Sequence, residues 1–116
     1  MITHIVKEEG WKKAEDEGVY TPRSLEKDGF IHCSDIDQVI EVAENLFEGE
    51  KDLVLICIDE QRLDPELVYE DCYDSGEGYP HIYGPIDTDA VIEVYEFERN
   101  EEGRYELPEE IAGSIK

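Results

Sequence analysis

A chain of 116 residues is long enough for one hydrophobic core and too short for two, so residues 1–116 are expected to form a single domain. Hydrophobic residues make up 40% and charged residues 36%, and 32 Asp and Glu against 10 Lys and Arg give a net charge of −22, a field that repels polyanions and argues against nucleic acid as a partner. The chain has no apolar leader and no run of roughly 18 apolar residues, which argues against a membrane span and predicts a cytoplasmic protein.

In chain order, residues 2–7 alternate loosely and predict a strand. Glu8 to Glu17, with Trp11 and Ala14 three residues apart, predicts a short helix that Gly18 ends. Thr21-Pro22 resists helix, and Ser24 is placed to cap a brief helix through Lys27 before Asp28-Gly29 turns the chain. Phe30-Ile31-His32-Cys33 then reads as a short strand. The strongest periodicity follows: Ile36, Val39, Ile40, Ala43, Leu46 and Phe47 mark an amphipathic helix from about 35 to 47, with Ser34 or Asp35 as N-cap and Gly49 beyond its end.

Leu53 to Ile58 is a continuous apolar run and predicts a central strand buried on both faces. Residues 67–72 predict another strand, carrying Glu70, and residues 74–78 a polar loop. Tyr79 to Pro85 predicts a very short strand centred on Ile82, with prolines holding its ends and Gly84 allowing an unusual backbone angle. Ala90 to Arg99 predicts the last long strand, with Tyr105-Glu106-Leu107 returning as a hairpin partner across residues 100–103, and the chain closes in a polar tail.

Two short segments, Gly29-Phe30-Ile31-His32-Cys33-Ser34 and Tyr79-Pro80-His81-Ile82-Tyr83-Gly84-Pro85, concentrate the side chains able to do chemistry and are expected to face each other across one cleft. His32 and Ser34 share a strand face by their i, i+2 spacing, beside the start of the helix at 35, whose unpaired N–H groups suit an anion. A purely structural account is equally open, with Ser34 only a cap and His32 a hydrogen-bonded strand residue. Ser34 as a hydrolase nucleophile has little support, because no G-x-S-x-G elbow surrounds it.

His81 and Tyr83 repeat the spacing and would offer an imidazole and a phenol together, for stacking and hydrogen bonding, or else form a structural turn with Tyr83 in the core. Glu70 follows an apolar run and is the candidate carboxylate, although most such glutamates are simply solvated. Phosphate-loop, dinucleotide and EF-hand motifs are lacking, no HExxH or Cys/His cluster suggests a metal, and Cys33, Cys57 and Cys72 are expected to be reduced thiols.

Gly18-x-Tyr20, Asp28-Gly29-Phe30-Ile31-His32-Cys33-Ser34, Gln38, the Leu53–Ile58 strand, Glu70 and Pro80-His81-Ile82-Tyr83-Gly84-Pro85 together resemble the DUF952 family of small uncharacterised proteins, over almost the whole chain. That family is grouped with the ADP-ribosyltransferase-like fold. The resemblance therefore implies an α+β domain with a split, curved mixed sheet, two or three helices, and NAD or a related nucleotide or metabolite in a central cleft. On that analogy His32 contacts ribose or phosphate, Ser34 and His81 hydrogen-bond the ligand and Tyr83 stacks on a ring. Glu70 would stabilise the oxocarbenium-like sugar formed if the nicotinamide–ribose bond breaks. Active transferases of this fold carry their acidic residue on a late strand, where this chain has Glu93 and Glu96. A relative that binds a nucleotide without turning it over is the alternative.

Overall fold

The computed structural model describes residues 1–47, 49–71 and 76–112. Its organising element is β4 (Leu53–Ile58), in which all six side chains are buried. Alternation sends Val54, Ile56 and Ile58 into one core and Leu53, Leu55 and Cys57 into another, as a strand covered on both faces requires. β4 lies between β1 (Ile2–Lys7) and β8 (Val91–Glu96), antiparallel to each.

The first core is closed by α1 (Glu8–Glu17), which buries Trp11 and Ala14 and stops at Gly18, whose φ of 78° is easily reached only without a side chain. The second is closed by α3 (Val39–Leu46), which buries Val39 and Ala43, and by Phe97, Tyr105 and Ile111, the last on α4 (Glu109–Ala112). A second three-stranded sheet, of order β3-β6-β5, comprises β3 (Ile31–His32), β6 (Tyr79–Ile82) and β5 (Leu67–Glu70). It packs Ile31, Ile82 and Leu67 onto the first core. A small pair, β2 (Val19–Tyr20) with β7 (Ile86–Asp87), completes this single α+β domain, together with α2 (Arg23–Asp28).

Among the described residues one backbone bridge joins the edges of the two larger sheets. Thr3 and Ser34 form an antiparallel bridge, with Thr3 N donating to Ser34 O at 2.7 Å and Ser34 N to Thr3 O at 2.8 Å. Beyond that bridge β1 and β3 share no further backbone pairing among the described residues, which makes the junction of the two sheets a fork.

Several expectations are corrected. Every strand pair among the described residues is antiparallel, so the sheets are not mixed, and four α-helices are present there rather than two or three. The helix foreseen from 35 begins at Val39, because Ser34 is drawn into the bridge with Thr3. Residues 36–38 form a turn instead, in which Gln38 N and Val39 N donate to Asp35 O. Ser34 is therefore not the N-cap.

The pair Val19–Tyr20 was not foreseen as a strand, since two residues carry no periodicity. The last hairpin shrinks to an Arg99–Tyr105 bridge, tightened by Asn100 Oδ1 accepting from Glu102 N and Arg104 N. Gly84 has no left-handed φ; its role is close packing, since a Cβ there would lie 2.8 Å from Pro65 Cβ. Cys72, which ends the strand foreseen at 67–72, residues 74 and 75 of the loop foreseen at 74–78, and the end of the polar tail lie outside the described residues. Of the thiols expected to be reduced, Cys33 and Cys57 are free and buried. No helix among the described residues is long and apolar enough to cross a membrane.

Candidate functional site

The fork holds a cavity of about 290 Å³. It is lined by His4 and Ile5 of β1, by His32, Cys33 and Ser34, and by an apolar group, Val42, Leu46 and Phe47, at the end of α3. α3 thus offers its last turns to the cavity and not its N-terminus, so the helix-end anion site expected beside Ser34 is not formed there. Ser24 from α2, and Tyr79 and His81 from β6, complete the lining.

The two histidine-bearing segments do not face each other across a cleft. They are hydrogen-bonded neighbours in one sheet, with His32 opposite His81 and Ile31 opposite Ile82. Because cross-strand partners share a face, the two imidazoles meet, with ring centroids 5.3 Å apart and nearly perpendicular planes. Phe30 lies over both, stacked on His81 at 4.2 Å and tilted against His32 at 4.8 Å.

His81 is fully buried, and its Nδ1–H donates to Glu70 Oε1 at 2.9 Å. The same oxygen accepts a very short hydrogen bond from the Tyr83 hydroxyl. Those two donors, Tyr83 first and His81 second, hold the Glu70 carboxyl below its usual range, so it stays ionised. Glu70 and Tyr83 do not line the cavity; they stand behind His81. His32 is more exposed, its Nε2 3.1 Å from Asp28 Oδ2.

His4 belongs to the site although nothing in the sequence singled it out. Its Nδ1–H donates to the His32 carbonyl at 2.6 Å, and its Nε2 accepts from the Tyr20 hydroxyl at 2.8 Å. Burial pulls its pKa down to about 4, so the ring is neutral near pH 7, and burial also pushes the Tyr20 hydroxyl upward. Glu93 and Glu96, the late-strand carboxylates, lie on β8, separated from β1 and the cavity by β4. Among the described residues, no group of three His, Cys, Asp or Glu side chains is arranged to hold a metal ion.

The profile of DUF952, described as a protein of unknown function, matches residues 5–94. The chain belongs to the DUF952 family. A crystal structure of protein CC0527 from Caulobacter crescentus is similar at 28% identity and a TM-score of 0.84, covering 96% of this chain and 97% of that one. A crystal structure of a double mutant of CC0527, at 27% identity, covers the same shares with a TM-score of 0.83. A solution structure of CC0527, at 28% identity, covers 96% of each chain with a TM-score of 0.81. No curated protein matches.

Of the residues that the sequence of this DUF952 domain singled out, His32, Ser34 and His81 line the cavity, whereas Glu70 and Tyr83, expected to meet the ligand, do not and instead bond to each other beside His81. Sequence reasoning missed His4, Tyr20 and the stacking ring of Phe30, and gave Gln38 no structural role. Phe30 and Gln38 lay in the stretches that carried the family resemblance, and their contacts could have been sought there. His4 gave no signal, because its partners are 16 and 28 residues away.

Proposed function

We propose that the cavity in the fork is a small-ligand site that takes the nicotinamide–ribose end of NAD or a related nucleotide, on an ADP-ribosyltransferase-like arrangement of two parted sheets. The observation that carries this reading is the convergence of His4, His32 and His81 on one cavity to which α3 adds apolar side chains. Small-molecule sites combine a largely apolar lining with a few polar groups that fix orientation. A planar ring would seat against Leu46 and Phe47 while His32, Ser34 and His81 meet the ribose oxygens.

Size and charge favour the same end of the ligand. Ligand pockets run from about 300 to 1,000 Å³, so this one suits a ring and a sugar, with the remainder of a dinucleotide outside. A net charge of −22 and a lining that, among the described residues, has no Lys or Arg oppose a diphosphate, whereas the nicotinamide ring of NAD is cationic.

Isothermal titration tests the reading. NAD should bind at millimolar concentration or better and more tightly than ADP-ribose, which lacks the cationic ring, and His32→Ala should weaken both. Failure of both ligands to bind the parent protein at millimolar concentration sinks it. A second reading, ligand held without turnover, is favoured by the position of Glu70, which bonds to His81 and does not line the cavity. It predicts NAD binding with no nicotinamide released.

A further inference from the structure

α2 reaches the cavity through Ser24, while Leu25 packs against the first core and fixes the rotation of the helix. With about 100° between successive residues, Asp28 falls about 40° from Ser24 on the core side. There its Oδ2 lies 3.1 Å from Nε2 of His32, another lining residue. Lys27 falls about 60° from Ser24 on the other side, and Arg23 about 40° beyond Lys27. The two cations therefore share the face of α2 that points away from the core, next to the side that lines the cavity, and both are exposed. Lys7, Lys12 and Arg62 each hold a carboxylate. Among the described residues, the Arg23 guanidinium and the Lys27 ammonium form no ion pair and no side-chain hydrogen bond, despite 32 acidic residues in the chain. Four residues apart on one helix, they repel each other.

We propose that Arg23 and Lys27 form a phosphate clamp for the part of the ligand that stays outside the cavity. The inference rests on the nucleotide reading above and narrows it to a ligand class: a nicotinamide nucleotide recognised through the phosphate on its ribose as well as through its ring. On that reading the ribose meets His32 and Ser34, and its phosphate is joined to it through a single methylene, so the anion leaves the cavity within reach of the rim. Neighbours three apart on a helix have Cβ atoms about 5–6 Å from one another, which places Lys27 beside Ser24. A guanidinium and an ammonium both donate charge-assisted hydrogen bonds to phosphate oxygens. An anion held between them also relieves the repulsion that the free helix carries. The division of labour follows the charges: the lining, without Lys or Arg among the described residues, takes the cationic ring and the neutral sugar, and α2 takes the anion.

Isothermal titration with NAD, nicotinamide mononucleotide and nicotinamide riboside tests the clamp, because these carry two phosphates, one phosphate and none beside the same ring and sugar. The readout is the ratio of the affinity for each phosphate-bearing ligand to that for the riboside. In the double variant Arg23→Gln/Lys27→Gln both ratios should fall by about tenfold, the loss of roughly one charge-assisted hydrogen bond. A second double variant, Lys12→Gln/Lys51→Gln, makes the same change in net charge with side chains that do not line the cavity. It should keep both ratios within about twofold of the parent at physiological salt, where distant exposed charges are screened.

Unchanged ratios in Arg23→Gln/Lys27→Gln overturn the inference. So does an equal fall in Lys12→Gln/Lys51→Gln, which would trace the effect to overall charge and not to α2. A parent protein that binds the riboside but neither phosphate-bearing ligand also overturns the clamp, while leaving the ring-and-sugar site intact. If none of the three ligands binds the parent at millimolar concentration, the nucleotide reading fails and the clamp with it.

Discussion

At the scale of single residues, the cavity is held together by imidazoles that each have a different job. His4 ties β1 to β3 and to Tyr20 through both ring nitrogens. Its pKa falls from 6.5 to about 4, chiefly through burial. Between those pH values the unfolded chain carries a proton on this ring that the folded chain does not, so stability falls as pH drops through that window. Allowing for its partial exposure, the loss is about 2 kcal/mol. Urea unfolding of the parent and of His4→Asn, which keeps a donor near Nδ1 but cannot titrate, should show the parent losing stability relative to the variant from pH 6.5 to 4. Parallel curves would mean that His4 is not held neutral. Neither its burial nor its partners could be read from the sequence, since both come from strands brought together only by the fold.

At the scale of elements, periodicity was legible and edges were not. The buried run Leu53–Ile58 and the apolar spacing from Ile36 to Phe47 are local signals; the strand formed where the pattern placed it, and the helix formed over its later part, Val39–Leu46. The start of α3 was not local. It depends on Ser34 pairing with Thr3, and on Gln38, whose side chain accepts from Asp35 N and donates to Glu77 and Gly78 O.

Gly84 shows the same dependence. The absence of a side chain is required by Pro65, which lies 19 residues earlier and against which an added Cβ would close to 2.8 Å and 2.9 Å. A proline ring cannot swing aside, so Gly84→Ala should destabilise the domain by about 1–3 kcal/mol. It should also disturb the Tyr83–Glu70 hydrogen bond one residue away. Thermal unfolding measures the first effect and the Tyr83 ring resonances the second; an unchanged midpoint would show that the β6–β7 connection yields freely.

At the scale of the whole molecule, charge dominates. The ion pairs Lys7–Glu50, Lys12–Glu8 and Arg62–Asp59 are exposed and engage few of the 32 acidic side chains. The molecule measures 37 × 36 × 28 Å. Screening extends over about 30 Å at 0.01 M salt and about 3 Å at 1 M, so at low salt each carboxylate repels others across the whole domain. Raising sodium chloride over that range should lift the melting temperature by about 5 °C or more. A flat response would mean that the carboxylates are compensated locally. The same repulsion should make NAD binding weaken less with salt than the binding of a phosphate-directed protein.

The sequence by itself determined the class of the domain, its acidity, the central strand, the two main helices and the two segments that supply His32, Ser34, His81 and Tyr83, because composition and short-range periodicity are properties of neighbouring residues. Tertiary structure decided how those segments relate. They pair edge to edge instead of facing each other, His4 joins them, Glu70 stands behind His81, and the cavity opens where two sheets part at the Thr3–Ser34 bridge. Each of these depends on strand register between distant parts of the chain. Register is set by which apolar faces the whole core can bury together, and no local pattern carries that information.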